Sequence, residues 1–401
     1  MRATVFLLIL LSLSWAVSFG RSVLEIERVW EITSDGPYNF TGALAVNDSN
    51  QEIISISTEP EAGIIVDDET IHVRHSGDGS GIVRASAVVQ VGYDTELLSD
   101  SPMPPSGLQP EGVTAADGDI EAKARELASD DSVLLTIKDL VNWVHSNIEY
   151  DIGYSEKVSP AAEVFRDRRG VCVEYSHLLI SMFRSLGLES RYVSGYVLAD
   201  NWQPHAWVEV DVPGYGWLAV DPTLGQAGIL DNTHLAVQKK QDHTEAYDFL
   251  VSDHDGAALS ATDSITARFL SEDPEGVSLS MDIERDTLAV EVQVENTLDE
   301  YVFGVYSFIA PENYDGGTST VLLLKPMERA RVYHGLNQSL FREDFIYQVP
   351  VAVSFNDVSK SNVFSIDRRT DDVPENLPDI YYAIPLIIAV FVALVVLTGR
   401  R

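Results

Sequence analysis

Hydrophobic positions change their spacing twice along this 401-residue chain, and each change marks a change of architecture. From Arg21 to about Ser99 the apolar residues come in β-branched runs, Glu52–Thr58, Ile71–Arg74 and Ile82–Tyr93, parted by turn signals such as Ser76-Gly77-Asp78-Gly79. Runs of that kind predict strands. Asp100–Gly112 carries four prolines and two glycines and falls in a linker over 100–116. From Asp117 the period becomes helical. Ile120–Leu127 is short and amphipathic, and Val133, Leu134, Ile137, Leu140, Val141, Val144 and Ile148 then recur three and four apart behind a Ser132 cap. Ser159-Pro160 opens another short helix to about Arg166, with proline in its first turn. Leu178, Leu179, Met182, Phe183 and Leu186 give the helix after residue 172 an apolar face, and Gly187 ends it. Strands return at Arg191–Leu198, Ala206–Asp211 and Gly216–Asp221. From Glu275 to about Asp367 the period is two, as in Leu288, Val290, Val292 and Val294.

Helices followed by strands predict an α+β unit over 117–255. A β-rich unit over 21–99 precedes it. About seven short strands over 270–367 suggest an immunoglobulin-like β-sandwich after it. No internal repeat or low-complexity tract interrupts this order.

The two ends read differently. Arg2, the apolar run Val5–Leu13 and the small residues of Ser18-Phe19-Gly20 form the pattern of a secretory signal over 1–20. Ile380–Thr398 is a charge-free run of 19 residues, long enough for a hydrocarbon core of about 30 Å. Tyr381 and Tyr382 stand where an interfacial belt is expected, and Arg400-Arg401 orient the run with the bulk of the chain outside. With 368–379 as a stalk, the expected topology is a single-pass membrane protein, extracytoplasmic for most of its length.

A net charge of −35 then belongs to the exterior part, and argues against nucleic acid and against adsorption to anionic membranes. Lysine is scarce beside Asp and Glu. Adaptation to high salt and an ordinary solvated acidic surface are both open readings of that excess. Asn39, Asn47 and Asn337 head Asn-x-Ser/Thr sequons, possible glycan acceptors and nothing more.

Cys172 is the only cysteine, so no intramolecular disulfide can form. It sits in Arg169-Gly170-Val171-Cys172-Val173-Glu174-Tyr175, at the start of a predicted helix. There, free backbone N–H groups and the helix dipole favour a thiolate, and the Cys172 N–H can contribute to an oxyanion hole. Gly170 offers close approach to the thiol. Pro213-Gly214-Tyr215-Gly216 predicts a hairpin between the strands carrying His205 and Asp221. Pairing Val212 with Gly216 sets Asp221 opposite Trp207 and diagonal to His205; a two-residue shift sets it opposite His205. Both registers keep the two side chains on one face, so Asp221 can orient the imidazole while its other nitrogen faces the thiol. His177, five residues along the helix from Cys172, points roughly 140° away and is rejected as the base. Trp207 and Trp217 read as core or pocket wall, and with Gly170 they are the candidates for substrate contact. One Cys and no Cys-x-x-Cys leave too few ligands for zinc, and no cofactor is called for.

Gly170-Val171-Cys172, His205-Ala206-Trp207-Val208-Glu209, and Gly216-Trp217 through Asp221-Pro222-Thr223 together resemble the transglutaminase-like superfamily. Ser194-Gly195-Tyr196 also looks like that family, and the likeness covers about Ser132 to Gly225. It implies a papain-like core with Cys172 as nucleophile, His205 as base and acid, and Asp221 as orienting group. It leaves the second oxyanion donor open, with Tyr150 and Tyr154 as candidates. The expected function is a membrane-anchored cysteine acyltransferase or hydrolase acting on amide bonds of protein, peptide or cell-envelope material through a thioester. The alternative is a non-catalytic surface or adhesion protein that uses the same core as a scaffold.

Overall fold

The structure is a computed structural model. It describes residues 21–368 apart from 94–97, 105–109, 157, 199–200, 229, 231, 253–257, 273–277, 285–288, 300, 312–316, 338, 340, 343–344 and 356–357. The expected signal and anchor lie outside the described residues. Among the described residues no helix is long and apolar enough to cross a membrane.

The N-terminal strands are β1 (Ser22–Ser34), β2 (Pro37–Val46), β3 (Gln51–Glu59), β4 (Gly63–Asp67), β5 (Thr70–Asp78) and β6 (Gly81–Val91). In β1 every second side chain is buried, including Leu24, Ile26, Trp30 and Ile32. This alternation lets one face meet Phe40, Leu44 and Val73 of β2 and β5 in a shared core.

The helical unit follows as α1 (Gly118–Leu127), α2 (Val133–Asn147), β7 (Glu149–Tyr150), α3 (Ala161–Asp167), β8 (Arg169–Gly170) and α4 (Cys172–Ser185). Asp117 caps α1 by accepting from Asp119 N and Ile120 N, and Ser132 Oγ caps α2 by accepting from Leu135 N at 3.0 Å. All seven apolar positions read from the period of α2 are buried. Behind the helices come β9 (Ser190–Leu198), β10 (Trp202–Val212), β11 (Gly216–Asp221), β12 (Gln226–Gly228) and β13 (His234–Lys240). They form one antiparallel sheet in the order β12-β11-β10-β9-β13. Val208, Val210 and Val212 join the core that holds α4, whereas Trp207 packs with Val46, Val193 and Ala219 in a separate cluster.

The chain then returns to its beginning. The strand β14 (Phe249–Val251) pairs with β2, and β15 (Leu259–Glu272) pairs with β1 along its full length. Two four-stranded sheets result, β15-β1-β6-β3 and β14-β2-β5-β4. The helical unit is thus inserted between strands of one β-sandwich.

Seven further strands complete the described chain: β16 (Ser278–Glu284), β17 (Ala289–Glu295), β18 (Val302–Ile309), β19 (Gly317–Leu324), β20 (Arg329–Gly335), β21 (Ile346–Phe355) and β22 (Val358–Asp367). They form sheets β16-β17-β20 and β19-β18-β21-β22. Val290, Val292 and Val294 of one sheet meet Tyr306, Phe308, Val351 and Val353 of the other. Phe303 and Val321 instead join the core of the helical unit, and Asn142 Oδ1 of α2 accepts from Thr320 Oγ1 at 3.2 Å and Val321 N at 3.3 Å.

Candidate active site

Cys172 is the first residue of α4, and the turn before it is held from three directions. The two-residue parallel pair of β7 and β8 sets Tyr150 beside Gly170. The Asp151 N–H donates to Gly170 O at 3.0 Å. Glu174, wholly buried, accepts from Val171 N and Ser159 N, each at 3.0 Å. Valine at the cap position has no acceptor, so this is only the reciprocal half of a capping box, with the N3 carboxylate reaching back to the N-cap N–H. Ser176 Oγ donates to Cys172 O at 2.8 Å.

The hairpin adopts the first of the two registers considered above. Val212 pairs with Gly216 and Val208 with Val220, so Asp221 comes next to Trp207 and diagonal to His205. Diagonal side chains can still meet, and His205 Nε2 lies 2.7 Å from Asp221 Oδ2. An ionised carboxylate only accepts, which fixes the proton on Nε2 and leaves Nδ1 for the thiol. The Cys172 side chain lies near enough to the ring to raise its pKa. Cys172 and His205 are each 9% exposed while Asp221 is 0% exposed, so an incoming carbonyl can reach sulfur and imidazole but not the carboxylate.

Burial pulls the His205 pKa down, but the charge of Asp221, its hydrogen bond and the Cys172 contact outweigh this and push it up to about 10. Burial alone pushes Asp221 up; His205 and His234 reverse that and hold it well below the usual carboxylate range. An imidazolium beside the sulfur is the partner that a nucleophilic thiolate needs.

His234 was not singled out from sequence. Its Nε2 lies 3.1 Å from the same Asp221 Oδ2, and the residue is 0% exposed. Asp221 Oδ1 accepts from Thr223 N at 2.7 Å and Leu224 N at 3.1 Å. The ligand-capable atoms of His205, Asp221 and His234 lie within 4.8 Å of one another, and the two Nε2–H groups converge on one oxygen as donors. No spacing rule ties His234 to the others. Its only sequence signal is a histidine opening an apolar strand, Leu235-Ala236-Val237.

The three substrate-contact candidates are placed elsewhere. Trp207 is 1% exposed and sealed behind both imidazoles, stacked on His205 with centroids 6.1 Å apart and edge-on to His234 at 5.2 Å. Trp217 lies four residues from Asp221, roughly 13 Å along an extended strand, under the Arg191 guanidinium at 4.2 Å. Gly170 is buried, and a Cβ there would stand 2.4 Å from Glu174 Cβ; the close approach it permits is that of Glu174, not of substrate. Each of these positions serves packing in a way that motif reading could not separate from recognition.

His177 is wholly buried with its Nε2 3.0 Å from His243 Nδ1, and burial, then His243, push its pKa down to about 4. It turns away from the site as read. The Tyr154 hydroxyl donates to Asp167 at 3.1 Å. Tyr150 is exposed at the site mouth, and burial, then Cys172, Asp221 and Glu174, push its hydroxyl pKa up.

Residues 121–222 match the family model described as Transglutaminase-like superfamily. An uncharacterized protein of Mycobacterium leprae (strain TN) is 27% identical over 125 residues, 29% of this chain and 44% of its own length. A protein-glutamine gamma-glutamyltransferase of Pseudomonas aeruginosa is 35% identical over 71 residues, 15% of this chain and 11% of its own length. The chain spans less than half the length of these curated relatives. The crystal structure of a candidate cysteine protease from Cytophaga hutchinsonii is 19% identical, with a TM-score of 0.45, over 63% of this chain and 92% of that one. The described chain is mostly β, with a transglutaminase-like core.

Proposed function

We propose that this chain is a cysteine acyltransferase or hydrolase that acts on amide bonds of protein, peptide or cell-envelope substrates. The observation that carries the proposal is the hydrogen bond from His205 to a fully buried Asp221, with the Cys172 side chain coupled to the same imidazole. The Cys172 thiolate attacks the amide carbonyl, and negative charge moves to its oxygen. The Cys172 backbone N–H and the Tyr150 hydroxyl are the donors proposed to receive that charge. The C–N bond then breaks as His205 gives its proton to the leaving amine, and a thioester remains on Cys172. An amine or water attacks the thioester, His205 takes its proton, and the sulfur leaves as thiolate.

The same proposal places most of the chain outside the cell. The 1–20 signal and the 380–398 span supply the address and the anchor, and the last seven strands an immunoglobulin-like spacer. Iodoacetamide labelling near pH 6 tests the nucleophile, with Cys172 expected to react faster than free cysteine; an equal or slower rate would remove the activated thiolate. Capture with a mechanism-based thiol probe would then identify the acyl donor.

A further inference from the structure

Asp221 uses its whole accepting capacity. An ionised carboxylate offers about four lone-pair sites, and the four donors are Thr223 N, Leu224 N, His205 Nε2 and His234 Nε2. The two backbone donors share Oδ1, while the two histidines share Oδ2. With no exposed surface on Asp221 or His234, water cannot replace a donor that is lost.

The fold commits several residues to bringing His234 there. It opens β13, which is separated from β11 by β9 and β10 in the sheet order. Gly195 of β9, paired with His205 on one side and Ala236 on the other, has no side chain to block the approach. A Cβ at Gly195 would lie 2.1 Å from Leu235 O and 2.8 Å from the Trp207 ring. The vacated space is filled by Trp207, which packs face-on to His205 and edge-on to His234. One indole thus sets the attitude of both imidazoles.

We propose that His234 is a positioning residue of this site: by sharing Oδ2 of Asp221 with His205, it limits how tightly the carboxylate holds the proton that His205 must deliver. The inference rests on the cysteine acyl-transfer reading for its consequence in turnover, though not for its effect on His205. Among the described residues, the other charged or titratable groups around this point are Cys172 on α4, Tyr150 on β7 and Glu174 on α4. Without His234, the charge on Asp221 falls more fully on His205, whose proton becomes harder to release.

The test uses full-length His234→Phe, which keeps a ring but removes the donor, and His234→Gln, which restores a donor at similar reach. Two readouts are needed: the His205 imidazole titration by 15N NMR, and kcat and KM on an N-acyl p-nitroanilide, whose nitrogen must be protonated to leave. His234→Phe is expected to move the His205 midpoint to higher pH and to lower kcat about 10- to 100-fold, with KM changed less than about two-fold. His234→Gln is expected to return both to wild-type values. An unmoved midpoint in a folded His234→Phe protein would overturn the proposal. So would a folded His234→Gln protein whose kcat and His205 midpoint depart from wild type, and that comparison survives if His234→Phe does not fold. A moved midpoint in a protein whose wild type never turns over the anilide would sink the acyl-transfer reading alone. Turnover in wild type with an unmoved midpoint would sink only the role of His234.

Discussion

His205 carries its proton to about pH 10, so the imidazolium form spans the physiological range. Its folded value is raised above the ordinary 6.5; the stability it contributes is complete below that value and is lost as pH rises through about 10. Asp221 is depressed, so its contribution is complete above the ordinary carboxylate range and is lost in strong acid. The alkaline limb of kcat is therefore expected near 10, where His205 can no longer protonate a leaving amine; a limb near 6.5 in a pH–rate profile would contradict the coupling to Asp221. Tyr150→Phe removes one hydroxyl from an exposed ring and should leave folding intact. It is expected to lower kcat on the order of 10²-fold if that hydroxyl serves the oxyanion, and an unchanged kcat would leave the Cys172 N–H without this partner.

Among elements, the start of α4 depends on a glycine two residues before the cysteine. In Gly170→Ala the new methyl meets Glu174 Cβ at 2.4 Å, where backbone and a buried carboxylate leave little room. The expected loss is about 1–3 kcal/mol in urea unfolding, and a neutral result would mean that Glu174 can swing aside. The helices, the Ser132 cap and the hairpin itself were legible in the chain because each depends on residues within a turn or two of one another, while the register was narrowed only to two that share a parity. Asp221 and His205 could be put on one face by parity alone. His234 could not, since its strand reaches the site only through the order of a five-stranded sheet. Trp207 and Trp217 stayed ambiguous for a related reason: an indole in a motif looks the same whether it walls a pocket or seals a core. The partner of β1 was equally hidden, being more than two hundred residues away.

At the scale of the molecule, charge is both adhesive and repulsive. Glu209, 2% exposed, accepts from Arg191 Nε at 2.7 Å and pairs with Lys239 at 2.9 Å; Lys239 also pairs with Asp48, and Arg191 with Glu69 at 3.0 Å. This network ties the loops after β2 and β4 to the sheet that carries the site. Glu209→Gln leaves the buried Lys239 and the partly buried Arg191 one anion short and is expected to cost up to about 3–5 kcal/mol, read by chemical unfolding; a loss under about 1 kcal/mol would rank it with surface pairs. The remaining acidity works against compaction. Raising NaCl from 0.1 M to 1 M shortens the screening length from about 10 Å to about 3 Å, so the melting temperature is expected to climb. A flat salt series would leave the acidity as ordinary surface solvation.

The pairing of β15 with β1 also has a meaning in time. A ribosome releases Ser22–Ser34 long before Leu259–Glu272, and the first strand must wait with one edge bare while the whole central unit is made. Loop-closure entropy over that separation favours late zipping of this pair. The cysteine-bearing helix can therefore mature first, and the last rungs of the outer sheet then fasten like a clasp.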